Sequence, residues 1–288
     1  MVIEGVKIAS YLQRLLQKEI KSLKKKVRIG LATYLIGQSP EQLSYVKIKS
    51  HVASQLKINF QLINLKYTPN YIELANLIRQ KAFEPAINGI IIQLPLPQEL
   101  STDSIFDYIP NIKEIEGHKK KSPFFPPLGL AVLTIFKYIY GGKRIDRNLL
   151  VDFEKDKPFF KKIFKNKKVV LVGKGMTGGK PIGHILGELK INYINVNATT
   201  INPESYFKNA DVIITAVGKK VIHPADLKPG VVLINVGLRR ENGKLRGDYD
   251  ENEVKDIASF YTKTPGGIGP IDVIYLFKNL IEAAKLQK

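Results

Sequence analysis

Tyr45 and Lys49 are the first residues along the chain whose types and spacing could do chemistry. They stand four residues apart in a helical segment that begins near Glu41, so both side chains project from one face of the helix. On an apolar face beside an aromatic ring, a lysine can have a lowered pKa and carry a proton. The same spacing is common in solvated packing pairs, and spacing alone favours that plainer interpretation.

Gln93 is a second candidate, because it follows the apolar run Ile90 to Ile92 and precedes Leu94 in a proline-rich stretch. A buried amide needs hydrogen-bond partners, and ligands of open α/β sheets bind beyond the carboxyl ends of strands. Gln93 is therefore either a site-facing group or a satisfied amide at a strand end. Glu116 lies in a charged loop, which by itself is typical of solvated surface.

Gly173, Gly175 and Gly178 form a G-x-G-x-x-G pattern between a strand-like run and a helical segment. Glycines at these positions permit a tight turn and close backbone approach, and the amides at the start of the helix can accept a pyrophosphate. The pattern in this context predicts a dinucleotide site, and the alternative is a flexible strand-to-helix turn.

The nicotinamide preference depends on residues beside that pattern. Asn195 and Asn197 occupy the region where an NAD-selecting carboxylate would stand, and the sequence has no acid there. Together with the cationic Lys174, this favours NADP. NAD remains the alternative.

Residues 265–270 read Pro-Gly-Gly-Ile-Gly-Pro, a composition that predicts a rigid loop with few side chains. A flat ligand could lie against such a loop. The alternative is a simple lead-in to the last helix.

Strand-like and helical segments alternate along the chain, which predicts parallel strands joined by crossover helices. We therefore expect an α/β fold of two domains, an α/β catalytic domain and a Rossmann-like dinucleotide-binding domain, with a cleft between them. The catalytic domain is expected at residues 1–140, joined by a C-terminal helix at 270–288, and the dinucleotide-binding domain at 141–269. The charged segment 141–168 shows little periodicity and is interpreted as an interdomain connection or surface insertion. Individual predicted strands and helices include residues 60–65, 71–81, 89–94, 168–172, 181–190, 193–196, 212–216, 231–236 and 271–286.

The composition narrows the function classes. The 288 residues contain no cysteine, which excludes disulfides, thiolate zinc sites and a cysteine nucleophile, and the four histidines argue against a metal cluster. No apolar run is long enough to span a membrane, and the N-terminus lacks the layout of a secretory signal, so we expect a cytoplasmic protein without membrane partners.

The formal net charge is +19, from 45 basic and 26 acidic side chains. Such an excess attracts nucleic acids, acidic membrane surfaces or small anions, although a lysine-rich surface that serves solubility is the favoured explanation. No zinc-finger spacing or aromatic RNA-binding signature accompanies the lysines, so no nucleic-acid partner is expected.

Taken together, these segments resemble the bifunctional methylenetetrahydrofolate dehydrogenase/cyclohydrolase family. Residues 44–49 (SYVKIK) are similar to the family's tyrosine and lysine helix, residues 89–97 (GIIIQLPLP) to its GILVQLPLP strand, and residues 265–270 to its PGGVGP loop. Similarity continues through residues 209–218 and 230–238, so the resemblance covers most of the chain.

The resemblance implies a role for each candidate. Lys49 would be the proton-transfer lysine, Tyr45 would stack on the aminobenzoyl ring of the folate, Gln93 would hydrogen-bond Lys49, and Glu116 would hold the pterin. The folate contacts implied in this way are Tyr45, Lys49, Gln93, Leu94, Glu116, Pro265, Gly266, Gly267, Ile268 and Gly269. The implied dinucleotide contacts are Gly173, Lys174, Gly175, Gly178, Gly179 and Leu238.

The chain also departs from the family pattern. The family's KDVDG motif is replaced by KEIEG at residues 113–117 of this chain, so Glu116 stands where aspartate is usual. The GRSxxVG loop reads GKGMTGG at residues 173–179, and a histidine-serine pair is replaced by Asn197 and Ala198. The folate side of the pattern is therefore preserved better than the dinucleotide side.

The function implied is NADP-dependent oxidation of 5,10-methylenetetrahydrofolate to the 5,10-methenyl compound and its hydrolysis to 10-formyltetrahydrofolate, in one-carbon metabolism that feeds purine biosynthesis. The implied assembly is a homodimer without a metal. One alternative is a monofunctional relative, either cyclohydrolase only or NAD-dependent. Another is a basic anion-binding or nucleic-acid-binding protein on this scaffold.

Overall fold

The computed structural model describes residues 1–23, 28–37 and 39–287. Its contacts divide the chain into two compact units. The three-stranded unit comprises Gln13–Pro127 and Val273–Lys288, and the six-stranded unit comprises Met1–Leu12 and Leu128–Asp272. Across the described ranges, no helix is both long enough and apolar enough to cross a membrane.

The regular elements alternate between strand and helix over most of the chain, as the sequence predicted. The strands are β1 (Val2–Ile3), β2 (Gly30–Ile36), β3 (Asn59–Leu65), β4 (Gly89–Ile92), β5 (Val169–Val172), β6 (Ile194–Val196), β7 (Val212–Thr215), β8 (Val232–Asn235), β9 (Arg239–Glu241), β10 (Lys244–Arg246) and β11 (Phe260–Thr262). The α-helices are α1 (Gly5–Ser22), α2 (Pro40–Gln55), α3 (Tyr71–Ala82), α4 (Pro127–Tyr140), α5 (Phe153–Phe164), α6 (Gly179–Glu188), α7 (Pro203–Phe207), α8 (Glu251–Val254) and α9 (Ile268–Leu286).

The three-stranded unit is built on a parallel sheet with the order β3-β2-β4. Every residue of β2 and β4 is buried, which explains why β4 reads as a continuous apolar run. Tyr34 of β2 pairs with Ile92, the last residue of β4. The Gln93 backbone N–H donates to the Tyr34 carbonyl at 2.9 Å and so extends the ladder by one bond. The position of Gln93 at a carboxyl end of the sheet is thereby fixed.

Helix α2 begins where its sequence specifies. The Ser39 hydroxyl accepts from the Gln42 backbone N–H at 3.1 Å, and the Gln42 side chain accepts from the Ser39 N–H at 3.2 Å, which forms a capping box. Pro40 occupies the first turn, where its missing N–H leaves no helix bond unmade. This start places Tyr45 and Lys49 on successive turns of α2.

The six-stranded unit is built on a sheet with the order β1-β11-β8-β7-β5-β6, in which every neighbouring pair is parallel. The central strands β5, β7 and β8 are buried throughout. From β5 the chain passes to β6 on one side and then to β7 on the other. The carboxyl ends of β5 and β7 therefore flank a topological switch point, where open α/β sheets bind ligands.

Segment 141–168 corrects one expectation, because it is more regular than its sequence indicated. It contains α5, which begins at an Asp152 side-chain cap and includes Pro158. Phe160 and Phe164 are buried on one helix face, and the Phe164 ring packs edge-on against Phe136 at 4.8 Å between centroids. These aromatic side chains give the helix a core-facing stripe that the dense lysines obscure in the sequence.

Candidate active site

Three residues predicted from the sequence meet in the three-stranded unit. Lys49 on α2 is only 7% exposed, and its Nζ donates to Oε1 of Gln93 at 3.0 Å. The same Nζ lies 3.4 Å from Oε1 of Glu116. A buried lysine ammonium requires such partners, because burial without them is costly. The packing-pair interpretation of Lys49 on a solvated surface is therefore wrong.

The amide of Gln93 is oriented by its own backbone neighbour. Its Nε2 donates to the Leu94 carbonyl at 2.9 Å, so Oε1 remains to accept from Lys49. Because a lysine ammonium only donates, the amide orientation follows from its two partners. Gln42 supports the same turn by donating from Nε2 to the Pro95 carbonyl at 2.7 Å.

The two carboxylates of the KEIEG loop lie in different surroundings. Glu114 is 1% exposed, and it accepts from the backbone N–H groups of Glu116 at 2.9 Å and Lys119 at 3.3 Å. Burial raises the pKa of Glu114 above its ordinary range, although His118 and these N–H groups oppose the shift. Glu114 therefore shapes the loop, and Glu116 is directed towards Lys49.

Glu116 lies between two potential cations. Its Oε1 faces Lys49, and its Oε2 lies 3.6 Å from Nε2 of His118. Burial alone would raise the pKa of Glu116, but the charge of Lys49 and the contacts with His118 outweigh it and lower the pKa to about 2. Glu116 is therefore an ionised carboxylate near neutral pH, suited to accept hydrogen bonds from a polar heterocycle.

His118 was not among the sequence candidates. Its ring stacks on Phe106 with centroids 4.3 Å apart and an interplanar angle of 29°. Its position two residues after Glu116 was the only signal that the sequence offered.

Tyr45 lies one helical turn before Lys49 and is 38% exposed, the largest exposure among the four predicted catalytic residues. An aromatic ring in this position presents a face to which a flat group can stack. Leu94 is half-buried directly after Gln93.

In the six-stranded unit, the glycine pattern forms the turn between β5 and α6. Gly173 has φ +107°, and a side chain there would come within 2.7 Å of the Ala216 carbonyl oxygen. A side chain at Gly178 would lie 2.9 Å from the Ala216 Cβ, and one at Gly179 would overlap the Gly173 carbonyl. Gly175, in contrast, faces open space. The turn is thus tight on its inner side and leaves exposed backbone for a phosphate, which fits a dinucleotide.

The residues after β6 complete that region. Asn195 donates from Nδ2 to the Gly173 carbonyl at 2.8 Å, so it supports the glycine turn. The Asn197 Oδ1 accepts from the backbone N–H of Thr199 at 3.1 Å and from its hydroxyl at 2.8 Å. Lys174 is exposed. Amide and hydroxyl groups therefore stand where the NAD-selecting acid was sought, and Lys174 lies in the glycine turn that Asn195 supports.

The loop predicted at residues 265–270 ends at Gly267, because helix α9 begins at Ile268 and includes residues 268–270. These residues and Leu238 belong to the six-stranded unit. Gly266 has φ +101°, and its carbonyl accepts from the Val6 N–H at 3.0 Å. A side chain at Gly267 would lie 2.5 Å from the Lys263 carbonyl oxygen, which explains the glycine there. Helix α9 begins at Ile268, and Leu238 is 38% exposed just after β8.

Comparison with known proteins gives concordant results. Residues 3–116 match the family described as "Tetrahydrofolate dehydrogenase/cyclohydrolase, catalytic domain", and residues 160–288 match its "NAD(P)-binding domain". The bifunctional protein FolD of Bacillus licheniformis is 33% identical over 293 residues, which span 99% of this chain and 97% of that protein.

Two solved structures carry the same fold. The bifunctional FolD methylenetetrahydrofolate dehydrogenase/cyclohydrolase of Campylobacter jejuni has a TM-score of 0.86 at 26% identity, with 100% of this chain and 99% of that chain covered. The Trypanosoma brucei FolD, solved with NADP and an inhibitor, has a TM-score of 0.85 at 22% identity, with 99% and 97% covered. The family matches and the FolD identity together show that the chain belongs to the tetrahydrofolate dehydrogenase/cyclohydrolase family.

Proposed function

We propose that this chain oxidises 5,10-methylenetetrahydrofolate to 5,10-methenyltetrahydrofolate with NADP and hydrolyses that product to 10-formyltetrahydrofolate, using Lys49 as the proton carrier. The observation that carries this proposal is the buried contact of Lys49 with Gln93 and Glu116. These residues occupy the positions at which the sequence resembles the family's folate site.

Substrate binding is assigned to groups on both sides of Lys49. Glu116, with a pKa of about 2, is ionised and accepts hydrogen bonds from the N–H groups of the pterin. Tyr45, 38% exposed, offers its ring to the aminobenzoyl group. Leu94 completes the proposed folate contacts of the three-stranded unit.

In the oxidation, a hydride leaves the bridging methylene carbon with its electron pair, and a methenyl cation remains. Bound NADP supplies the hydride acceptor. No protein acid or base is needed in this step, so the contribution of the chain is alignment, which can be a large part of catalysis. The exposed backbone at Gly175 and the tight turn at Gly173 are suited to hold the dinucleotide phosphates.

In the hydrolysis, the oxygen of water bonds to the methenyl carbon and the bond from that carbon to N5 breaks. One water proton ends on N5 and the other is released to solvent. Lys49 relays the proton between oxygen and nitrogen, while Gln93 holds its Nζ in place at 3.0 Å. Because both reactions use the same bound folate and only the hydrolysis needs a proton carrier from the protein, one lysine suffices for the two reactions.

The preference for NADP rests on charge. Lys174 is exposed beside the glycine turn, and Asn197 stands after β6 in place of a carboxylate. A cation suits the additional phosphate of NADP, and an acid there would repel it. An NAD-dependent enzyme is the second candidate. Asn195 is uncharged and its amide supports the glycine turn, so it offers no cation for the additional phosphate of NADP.

The domain assignment and the assembly belong to the same proposal. The proposed folate-binding domain is residues 1–140 with the helix at 270–288, and the proposed dinucleotide-binding domain is residues 141–269. The two compact units differ from these bounds, because residues 1–12 and 128–140 belong to the six-stranded unit. Family membership supports a homodimer, which light scattering during size-exclusion chromatography would test: a mass near twice the 32.4 kDa of one chain is expected, and a mass of one chain would contradict it.

The activity test follows the absorbance of the reduced dinucleotide and of the methenyl compound. Purified protein is given 5,10-methylenetetrahydrofolate with NADP or, separately, with NAD. Turnover with NADP supports the proposal, and turnover with NAD alone would replace NADP by NAD as the proposed cofactor. Hydrolysis of the methenyl compound without oxidation by NADP or NAD would reduce the proposed function to that of a cyclohydrolase.

A further inference from the structure

A buried carboxylate holds the loop that follows β7. Asp248 is 0% exposed, and its two oxygens accept from different backbone groups. Oδ2 accepts from the Val217 N–H at 3.0 Å, and Oδ1 accepts from the Lys219 N–H at 3.1 Å. The loop Val217–Lys219 is therefore wrapped around one side chain.

That loop packs against the residues proposed to bind the dinucleotide. Ala216, directly before it, is the residue that a side chain at Gly173 or Gly178 would strike. A side chain at Gly218 would lie 2.9 Å from the Leu238 carbonyl oxygen. The loop thus lies between the glycine turn and Leu238, at the switch point where β5 and β7 end.

Asn235 holds the backbone of Asp248 in place. Its Oδ1 accepts from the Asp248 backbone N–H at 2.8 Å and from the Thr215 hydroxyl at 3.0 Å. Its Nδ2 donates to the Gly237 carbonyl and to the Thr264 hydroxyl oxygen, each at 2.8 Å. Asn235 is 3% exposed, so this network is buried and connects the ends of β7 and β8 with the start of the loop at 265–269.

We propose that Asp248 is a positioning residue for the dinucleotide, which fixes the Val217–Lys219 loop against the glycine turn so that the dinucleotide site keeps its shape. The proposal deepens the proposed function and rests on it, because it assumes that the glycine turn takes a dinucleotide. Asp248 touches no reacting atom in this account and acts only through the loop.

The substitution Asp248→Asn tests this role with little change of shape. Each oxygen of Asp248 accepts from a different N–H, so an asparagine must turn its NH₂ towards one of those donors. The loop then shifts. The dissociation constant for NADPH, measured by fluorescence titration, is expected to rise about 10-fold, while hydrolysis of the methenyl compound without dinucleotide stays at the wild-type rate.

The matched control is Asp250→Asn, two residues away. Asp250 accepts from the Asn252 N–H at 2.9 Å at the start of α8 and makes no contact with the Val217–Lys219 loop in the described hydrogen bonds. It is expected to bind NADPH like the wild type. An equal loss in both variants would assign the effect to general stability and overturn the proposal.

The dissociation constant for NADPH and the number of NADPH sites per chain together separate positioning from a purely structural role. A structural defect lowers the number of NADPH sites per chain and the hydrolysis rate in parallel, and it leaves the dissociation constant of the folded fraction unchanged. That result, or an unchanged dissociation constant with full occupancy, would overturn the proposal. A raised dissociation constant with one site per chain and normal hydrolysis would support it.

If Asp248→Asn does not fold, Thr215→Val tests the proposal by the same three measurements: the dissociation constant for NADPH, the number of NADPH sites per chain and the hydrolysis rate. Thr215 is buried and donates into the network through its hydroxyl, so its removal is milder and a rise of about threefold is expected. An unchanged dissociation constant for NADPH in that variant would overturn the proposal.

The wild type separates this inference from the proposed function. A wild type that binds no NADPH would overturn both this inference and the proposed cofactor. A wild type that binds NADPH without oxidising the folate would contradict the proposed function and leave the Asp248 test valid.

Discussion

Nζ of Lys49 and Oε1 of Gln93 lie 3.0 Å apart, although the two residues are 44 positions apart in the chain. Helix α2 delivers the lysine and the carboxyl end of β4 delivers the amide. The second hydrogen bond of Gln93, from Nε2 to the Leu94 carbonyl, turns Oε1 towards Lys49. One donor of the lysine is thereby held, and the others remain available for Glu116 and for substrate.

Replacing Gln93 by leucine tests the importance of that bond. The variant Gln93→Leu keeps the approximate size of the side chain and removes the acceptor for Lys49. We expect methenyl hydrolysis to fall by roughly 10-fold to 100-fold, because the proton carrier loses its orientation. The rate is measured by the decay of methenyl absorbance, with the exposed Gln98→Leu as control. Wild-type hydrolysis in Gln93→Leu would show that the bond has no catalytic role.

Glu116 makes stability depend on pH in a defined direction. Its folded pKa of about 2 lies below the ordinary value of 4.5, so the ionised group stabilises the fold above pH 4.5. This contribution disappears as the pH falls from 4.5 towards 2. The variant Glu116→Gln should therefore have a lower free energy of unfolding than the wild type at pH 7, by on the order of 1–3 kcal/mol, and a smaller deficit at pH 3.

Urea unfolding of the wild type and Glu116→Gln at the two pH values measures that deficit. The exposed Glu99→Gln serves as control, since its deficit should be near zero at both. An equal deficit for Glu116→Gln at pH 7 and pH 3 would contradict the stabilising role of the ionised carboxylate.

The two carboxylates of residues 113–117 should differ in their effect on folate binding. Glu114 is 1% exposed and accepts two backbone N–H groups, so Glu114→Gln is expected to lower the free energy of unfolding by about 1–3 kcal/mol. Glu116→Gln should, in addition to its loss of stability, raise KM for the folate, because it loses the proposed acceptor for the pterin. Steady-state kinetics of both variants checks this, and a raised folate KM for well-folded Glu114→Gln together with a normal one for Glu116→Gln would reverse the assignment.

Lys174 should discriminate between the nicotinamide dinucleotides. The substitution Lys174→Ala removes an exposed cation beside the glycine turn and is expected to raise KM for NADP by about 10-fold, with KM for NAD unchanged. The exposed Lys208→Ala, which lies outside the turn, is the control. If the two dinucleotides were affected equally, Lys174 would not read the additional phosphate.

The parts of the fold that local sequence determines could be predicted. The Ser39 to Gln42 capping box and the apolar run of β4 specify α2 and β4, and these two elements place Lys49 and Gln93. The glycine turn after β5 was recognisable for the same reason, since its spacing and flanking elements are local.

The remaining features depend on contacts between distant residues. Asp248 binds N–H groups about 30 positions earlier in the chain, and β1 pairs with β11 across almost the whole sequence. Helix α5 was missed because Pro158 and the surrounding lysines hide the spacing of its buried phenylalanines. His118 could not be identified from the sequence, because residue spacing does not show that the Glu116 side chain points towards it.

The most direct test of the central claim is turnover of 5,10-methylenetetrahydrofolate with NADP and with NAD by the wild type, Lys49→Met and the exposed control Lys47→Met. The wild type and Lys47→Met should form methenyltetrahydrofolate and hydrolyse it, whereas Lys49→Met should lose hydrolysis by about 100-fold or more. Hydrolysis at the wild-type rate in Lys49→Met would contradict the role of Lys49 as the proton carrier, and a wild type inactive with both dinucleotides would contradict the proposed oxidation.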